Sequence, residues 1–172
     1  MKLSKTKDLV LTALFIAIVF IATNIRVPTT PTGGGLVHLG TVALFVISVT
    51  FGPRRGAIAG SIGMALFNLT SDWVMWAPYT FVIRLVMGVI VGYIANMGGA
   101  GGKTFFLNIA ALFAGGLWFL ASAYVAQVMI FAVPWEVPLA SIPGNMMQIV
   151  LALLIGLPLI ALVNTHKHRL LS

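Results

Sequence analysis

The chain has 172 residues, of which 60% are hydrophobic and only 8% are charged, with a net charge of +7. A soluble domain has about a quarter of its residues charged, so this composition excludes a soluble globular protein and a disordered chain. It predicts an integral membrane protein that forms a single domain over residues 1–172. Because the basic residues fall in short loops between apolar runs, we interpret them as topology signals rather than as a nucleic-acid-binding surface.

Six apolar segments are candidate membrane helices, since a spanning helix needs about 20 predominantly apolar residues. They are 7–27, 38–51, 56–70, 78–97, 104–132 and 139–164. The first is followed by no clean cleavage site, so we expect a membrane helix there rather than a cleaved signal. The second and third are short enough to form a re-entrant hairpin. That hairpin would place Arg54 and Arg55 near the bilayer centre, at about 2.5–3.5 kcal/mol each, which favours two thin or tilted spanning helices.

The distribution of basic residues predicts the orientation in the membrane. With the N-terminus inside, eight of the ten basic residues become cytoplasmic, and the C-terminus is also inside. These eight are Lys2, Lys5, Lys7, Arg54, Arg55, Lys103, Lys167 and Arg169. The sequence therefore predicts a compact all-α bundle of six transmembrane helices with both termini cytoplasmic.

Arg84 is the most informative single residue, because an arginine inside a membrane segment is a functional hypothesis by default. It lies about two turns from the outer end of the fourth segment, roughly 9 Å deep by helical rise. Two structural alternatives stay open. The side chain either extends to the outer interface, or it pairs with Asp72 or Glu136 on the outer side.

Other polar and aromatic residues cluster in the outer half of the predicted bundle, and unpaired amides in hydrocarbon are costly. Hydrogen bonding between helices is one explanation, but it does not favour one half of the membrane. A polar, aromatic-lined cavity open to the outside does. The predicted ligand-binding residues are His38, Asn68, Trp76, Tyr79, Arg84, Trp118, Tyr124, Gln127, Asn145 and Gln148. For Trp73 and Trp135 an interfacial aromatic belt is the favoured explanation.

Small residues four apart also recur along the helices. In the third and fourth segments we expect them to mediate internal packing. These pairs are Gly56 and Gly60, Ala59 and Gly63, and Gly88 and Gly92.

Several chemical signatures are absent from the sequence. It contains no phosphate-binding GxxxxGK[ST] loop, no HExxH zinc motif, and no GxSxG with a histidine on a facing helix. No carboxylate lies deep in a segment to couple transport to protons or sodium. We therefore expect a binding protein rather than an enzyme, with no metal site and no cofactor bound by this chain.

Several stretches resemble the substrate-binding S component of energy-coupling factor (ECF) vitamin transporters. They are the AxxxA of Ala13 and Ala17, GGGLVHLGT at 33–41, FGPRRGAIAG at 51–60, and Asp72 followed by WAP at 76–78. The resemblance covers nearly the whole chain. The branch carries riboflavin-, hydroxymethylpyrimidine- or pyridoxine-type labels.

The resemblance implies a bacterial plasma-membrane protein that works with an ECF T subunit and two ABC-type ATPases, which use ATP and magnesium. Ala13 and Ala17 would contact the T subunit, the first outer loop at 28–35 would act as a lid, and helices four to six would hold the vitamin. We expect hydroxymethylpyrimidine or a pyridoxine-like compound, with riboflavin as the alternative. A stand-alone facilitator or channel is the alternative of another class, and the apolar inner half of the sequence counts against it.

Overall fold

The computed structural model describes residues 4–26 and 37–171, with side chains up to residue 166. Within these ranges the chain is an all-α bundle, as the sequence predicts, and its only β-type pairing is an isolated bridge between Arg26 and His38. The helices are α1 (Lys5–Asn24), α2 (Gly40–Phe51), α3 (Pro53–Leu69), α4 (Ala77–Ala95), α5 (Phe105–Val125), α6 (Ile142–Leu154) and α7 (Gly156–Leu171). Short 3-10 helices cover Val74–Trp76, Met97–Gly99 and Val137–Ser141, and a π-helical turn at Ala126–Ile130 extends α5.

Four segments of the described chain are long and apolar enough to cross a membrane. They are Lys5–Asn24, Val74–Ala95, Phe105–Ile130 and Val137–His166. The chain is accordingly a multi-pass membrane protein. The total of six spanning helices and the cytoplasmic position of both termini remain predictions.

α2 is the central helix of the bundle. Its twelve residues span about 18 Å, which is less than the hydrocarbon thickness of about 30 Å. Ten of the twelve are buried, including Phe45 and Thr41, because the surrounding helices cover α2 on nearly all sides. Protein rather than lipid therefore surrounds its ends, so the length rule for lipid-exposed helices does not apply to it.

The connection between α2 and α3 is shorter than the sequence suggests. Residues 52–55 were expected to lie in a loop, but α3 begins at Pro53 and only Gly52 separates the two helices. Gly52 has φ of 92°, a left-handed conformation that glycine adopts without strain, and Pro53 suits the first helical position. Arg54 and Arg55 consequently lie in the first turn of α3, where Arg55 binds Asp8 of α1 at 2.7 Å.

The small residues of α3 and α4 mediate internal packing, which confirms that prediction. A Cβ at Gly88 would lie 2.5 Å from Cα of Ala57, and one at Gly92 would collide with the backbone of Pro53. Likewise, the absence of a side chain at Gly60 leaves room for the side chain of Leu44 in α2. The small residues thus allow α3 and α4 to pack closely. This packing fixes the positions of the α4 residues that face the interior.

The sixth predicted segment, 139–164, is not one continuous helix. It begins with the 3-10 turn Val137–Ser141, and a break at Ile155 separates α6 from α7. Pro158 explains the break, because it has no N–H to donate to the carbonyl of Leu154. Immediately after the break, Gly156 packs against the ring of Phe45 in α2.

Candidate ligand-binding site

A cavity of about 310 Å³ lies among the helices at one end of the bundle, beside the turns that precede α4 and α6. Seven of the ten predicted ligand-binding residues line it: His38, Asn68, Trp76, Arg84, Gln127, Asn145 and Gln148. The other lining residues are Thr23, Met64, Trp73, Thr80, Phe119, Ala123, Val137, Ala140 and Ser141. The cavity therefore combines aromatic rings with amides, hydroxyls and one guanidinium, the mixture typical of small-molecule sites.

Arg84 is buried in this cavity, with 4% of its surface exposed. Its guanidinium lies 3.8 Å from the centre of the Phe119 ring. Nη1 donates to Oγ1 of Thr41 at 3.3 Å, and Nη2 donates to Oε1 of Gln148 at 3.4 Å. Thr41 in turn donates to the same Gln148 oxygen at 2.6 Å. One network thus joins α2, α4 and α6 around the guanidinium.

Neither structural alternative for Arg84 holds. The side chain is too deeply buried to extend to the outer interface. Asp72 and Glu136 are both exposed, and in the part of the chain that the structure describes neither forms a salt bridge with Arg84. The remaining acidic residue, Asp8, binds Arg55 near the start of α1.

His38 lies just before α2 and is buried, with 6% of its surface exposed. Its Nδ1 accepts a hydrogen bond from the backbone N–H of Gly40 at 3.1 Å. An accepting Nδ1 carries no proton, so the ring is neutral and its Nε2 is the donor. The bridge between Arg26 and His38 and the bond from Leu39 N–H to the Ile25 carbonyl hold together the two ends of the first outer loop. The predicted lid, 28–35, lies outside the described residues.

Two amides of the cavity are held by neighbouring hydroxyls. Asn68 donates to Oγ1 of Thr80 at 2.7 Å, which joins α3 to α4. Gln127 donates to Oγ of Ser141 at 3.3 Å, which joins α5 to the turn before α6. Gln127 lies in the π-helical turn, where i→i−5 hydrogen bonding replaces the α-helical pattern. Such turns are frequent at functional sites.

Three predicted residues do not line the cavity. Trp118 donates from its indole N–H to the Ile83 carbonyl at 3.0 Å, so it links α5 to α4. Tyr79 packs edge-on against Phe131, with ring centres 5.2 Å apart. The hydroxyl of Tyr124 donates to the carbonyl of Trp135 at 3.1 Å.

The face of α5 that lines the cavity consists of Phe119, Ala123 and Gln127, which follow one another at intervals of four. Tyr124 is one residue beyond Ala123 and therefore points about 100° away from this face. Counting back from Gln127 in steps of four residues leads to Ala123 and Phe119, so the sequence does contain a signal for Phe119. The hydroxyls of Thr23, Thr41 and Thr80 carry no such signal.

A family model described as "ECF-type riboflavin transporter, S component" matches residues 3–165. The chain belongs to this S-component family. This assignment agrees with the apolar, membrane-spanning helices of the described chain.

A relative from Pyrococcus woesei is described as "Uncharacterized protein in gap 3'region". It is 35% identical to this S component over 72 residues, which are 42% of this chain and 47% of that protein. The chain thus spans about half the length of that curated relative. Its description assigns no activity.

Ala13 and Ala17, the predicted T-subunit contacts, are exposed on the surface of α1. Phe15, Val19 and Thr23 form the buried face of the same helix. Both alanines are thus accessible to lipid or to another membrane helix.

Proposed function

We propose that this S component captures a small aromatic vitamin or vitamin precursor from the outer side of the membrane and delivers it inward. Delivery requires the T subunit and two ABC-type ATPases, which hydrolyse ATP with magnesium. The observation that carries the proposal is the cavity of about 310 Å³ in a family whose members bind vitamins. Its polar groups converge from five helices on one cavity.

We favour a single-ring ligand such as hydroxymethylpyrimidine or a pyridoxine-like compound. The cavity volume is near the lower end of the roughly 300–1,000 Å³ found for ligand sites. The rings of Trp73, Trp76 and Phe119 provide faces against which a flat heterocycle stacks. The amides of Asn145 and Gln148 provide hydrogen bonds for its edge.

Riboflavin is the second candidate, because the matching family model is described as a riboflavin transporter component. Riboflavin has three fused rings and a polyol chain, so it requires more of the cavity than a single ring does. The two candidates therefore make opposite predictions about relative affinity.

The direct test is a thermal-shift titration of the purified chain with hydroxymethylpyrimidine, pyridoxine and riboflavin. A ligand at a thousandfold excess over its Kd stabilises the folded state by about 4 kcal/mol, so a true ligand gives a large increase in Tm. We expect a shift with a single-ring compound. A shift with riboflavin alone contradicts the single-ring assignment, and no shift with any vitamin contradicts capture by this chain alone.

Uptake of labelled vitamin distinguishes the S component from a stand-alone facilitator. We expect uptake in cells that express the chain together with a T subunit and two ATPases, and none in cells that express the chain alone. Equal uptake in the two strains contradicts the proposed dependence on ATP.

A further inference from the structure

The ligand cavity contains a positive charge that no side chain of this protein neutralises. The chain has only three acidic residues, and Arg84 forms a salt bridge with none of them in the described structure. Asp8 is bound by Arg55, while Asp72 and Glu136 are exposed. Arg84 itself is 4% exposed, so water screens its charge poorly.

The neutral groups around Arg84 satisfy only part of the hydrogen-bonding capacity of its guanidinium. A guanidinium has five N–H donors, and those that reach Thr41, Gln148 and the Met87 sulfur do so at 3.3–3.4 Å. Charge-assisted hydrogen bonds to anionic oxygen are shorter, about 2.7–2.9 Å. The Phe119 ring attracts the cation but brings no negative charge. This arrangement retains capacity for an anionic partner.

The other residues that line the cavity add no positive charge to that of Arg84. We therefore expect the partner to carry about one negative charge. No lysine or second arginine lines the cavity among the described residues. His38 is neutral, because its Nδ1 accepts the Gly40 N–H. Arg26 lies outside the lining and packs over the Phe67 ring at 5.3 Å. A single guanidinium matches a monoanionic oxygen group better than the nearly dianionic phosphate of a phosphorylated vitamin.

We infer that the vitamin presents one anionic oxygen, a ring phenolate or a carboxylate, to the guanidinium of Arg84. The inference rests on the proposed function and narrows its substrate class. A 3-hydroxypyridine such as pyridoxine has this group, because its ring hydroxyl is ionised at neutral pH while the ring nitrogen is protonated. Hydroxymethylpyrimidine and riboflavin are both neutral at that pH and lack it.

Matched ligands provide the first test on the unmodified protein. Pyridoxine and 4-deoxypyridoxine retain the ring hydroxyl, 3-deoxypyridoxine lacks it, and 4-pyridoxic acid adds a carboxylate. Binding is measured by quenching of tryptophan fluorescence, since Trp73 and Trp76 line the cavity. We expect the compounds with an anionic oxygen to bind roughly 10- to 100-fold more tightly than 3-deoxypyridoxine, as for a hydrogen bond to a charged group. 4-Pyridoxic acid carries both groups, so tighter binding of it than of pyridoxine would indicate that a carboxylate is the preferred partner.

Substitutions at Arg84 provide the second test. We expect Arg84→Gln to abolish the preference for compounds with an anionic oxygen and Arg84→Lys to retain part of it. Arg54→Gln is the matched control, because Arg54 is exposed at the start of α3, away from the cavity. It should leave the preference unchanged.

The outcomes separate the inference from the proposed function. If compounds with and without an anionic oxygen bind with equal affinity, or only those without it bind, the inference is overturned and vitamin capture stands. If none of these compounds binds, and neither riboflavin nor hydroxymethylpyrimidine binds, the proposed function fails and the inference fails with it. Should Arg84→Gln not fold, the ligand comparison on the unmodified protein still decides.

Discussion

At the scale of single residues, the site depends on three side chains that lie far apart in the sequence. Thr41, Arg84 and Gln148 come from α2, α4 and α6 and meet in one hydrogen-bonded network. In a low-dielectric interior each bond in such a network polarises the next, so the loss of one member affects the others. Thr41 connects the other two residues of this network, since it donates to Gln148 and accepts from Arg84.

We predict that Thr41→Val lowers both stability and ligand affinity. Valine matches threonine in shape but has no hydroxyl, so the bond to Gln148 at 2.6 Å and the acceptor for Arg84 are lost. The free energy of unfolding should fall by about 1–3 kcal/mol. Thermal unfolding with and without ligand measures both effects. Thr165→Val, at an exposed hydroxyl of α7, should change stability by less than about 0.5 kcal/mol. An equal effect of the two substitutions contradicts the network's importance.

At the scale of the helices, glycines set the distance between α3 and α4, and that distance positions Arg84. Gly88 lies one turn beyond Arg84 on α4 and is in backbone contact with Ala57 of α3. Asn68 and Thr80, which line the cavity, join the same pair of helices through their hydrogen bond. Packing near the middle of the pair and hydrogen bonding where α3 ends and α4 begins therefore hold one side of the cavity.

We predict that Gly88→Ala destabilises the bundle although alanine is the better helix former. The added Cβ would lie 2.5 Å from Cα of Ala57, so one helix must move. Overpacking of this kind costs about 1–3 kcal/mol, and movement of α4 should also weaken ligand binding. Tm and Kd are the measurements. Val89→Ala, at a half-exposed neighbour on the surface of α4, is the control and should affect both much less. Unchanged Tm in Gly88→Ala would show that the helices can separate without cost.

At the scale of the whole molecule, the cavity and the proposed partner surface lie on different parts of the bundle. α1 buries Phe15, Val19 and Thr23 and leaves Ala13, Ala17 and larger apolar residues at the surface. Small residues on a membrane-facing surface permit a partner helix to approach closely. Vitamin binding and T-subunit association should therefore be separable by substitution.

We predict that Ala17→Trp abolishes association with the T subunit but leaves vitamin binding intact. The large ring prevents close helix approach, while the cavity on the other side of α1 is unchanged. Co-purification with a tagged T subunit and a thermal-shift assay report the two properties. Ala121→Trp, at an exposed alanine of α5, is the matched control and should retain association. Normal co-purification of Ala17→Trp would contradict the assigned interface.

The sequence by itself determined the membrane class, the all-α fold and most of the helical segments. The bilayer imposes these features locally, because each spanning stretch must be apolar and must satisfy its own backbone hydrogen bonds. The same argument identified buried polar residues such as Arg84 and Gln148, since a polar group in an apolar segment must face the interior. The orientation of the chain follows from charge counting and awaits its own test.

Only the tertiary structure decided which polar and aromatic side chains share the cavity. Helical spacing gives relative angles within one helix, but it does not give the rotation of that helix against its neighbours. Tyr124 was therefore predicted to contact the ligand although it does not line the cavity, whereas Phe119 and Thr80, which do line it, were not predicted. The burial of α2 and the break at Ile155 likewise depend on packing between helices distant in sequence. The tertiary structure also decided that none of the three acidic residues forms a salt bridge with Arg84. Their positions in the sequence do not show where their side chains lie in space.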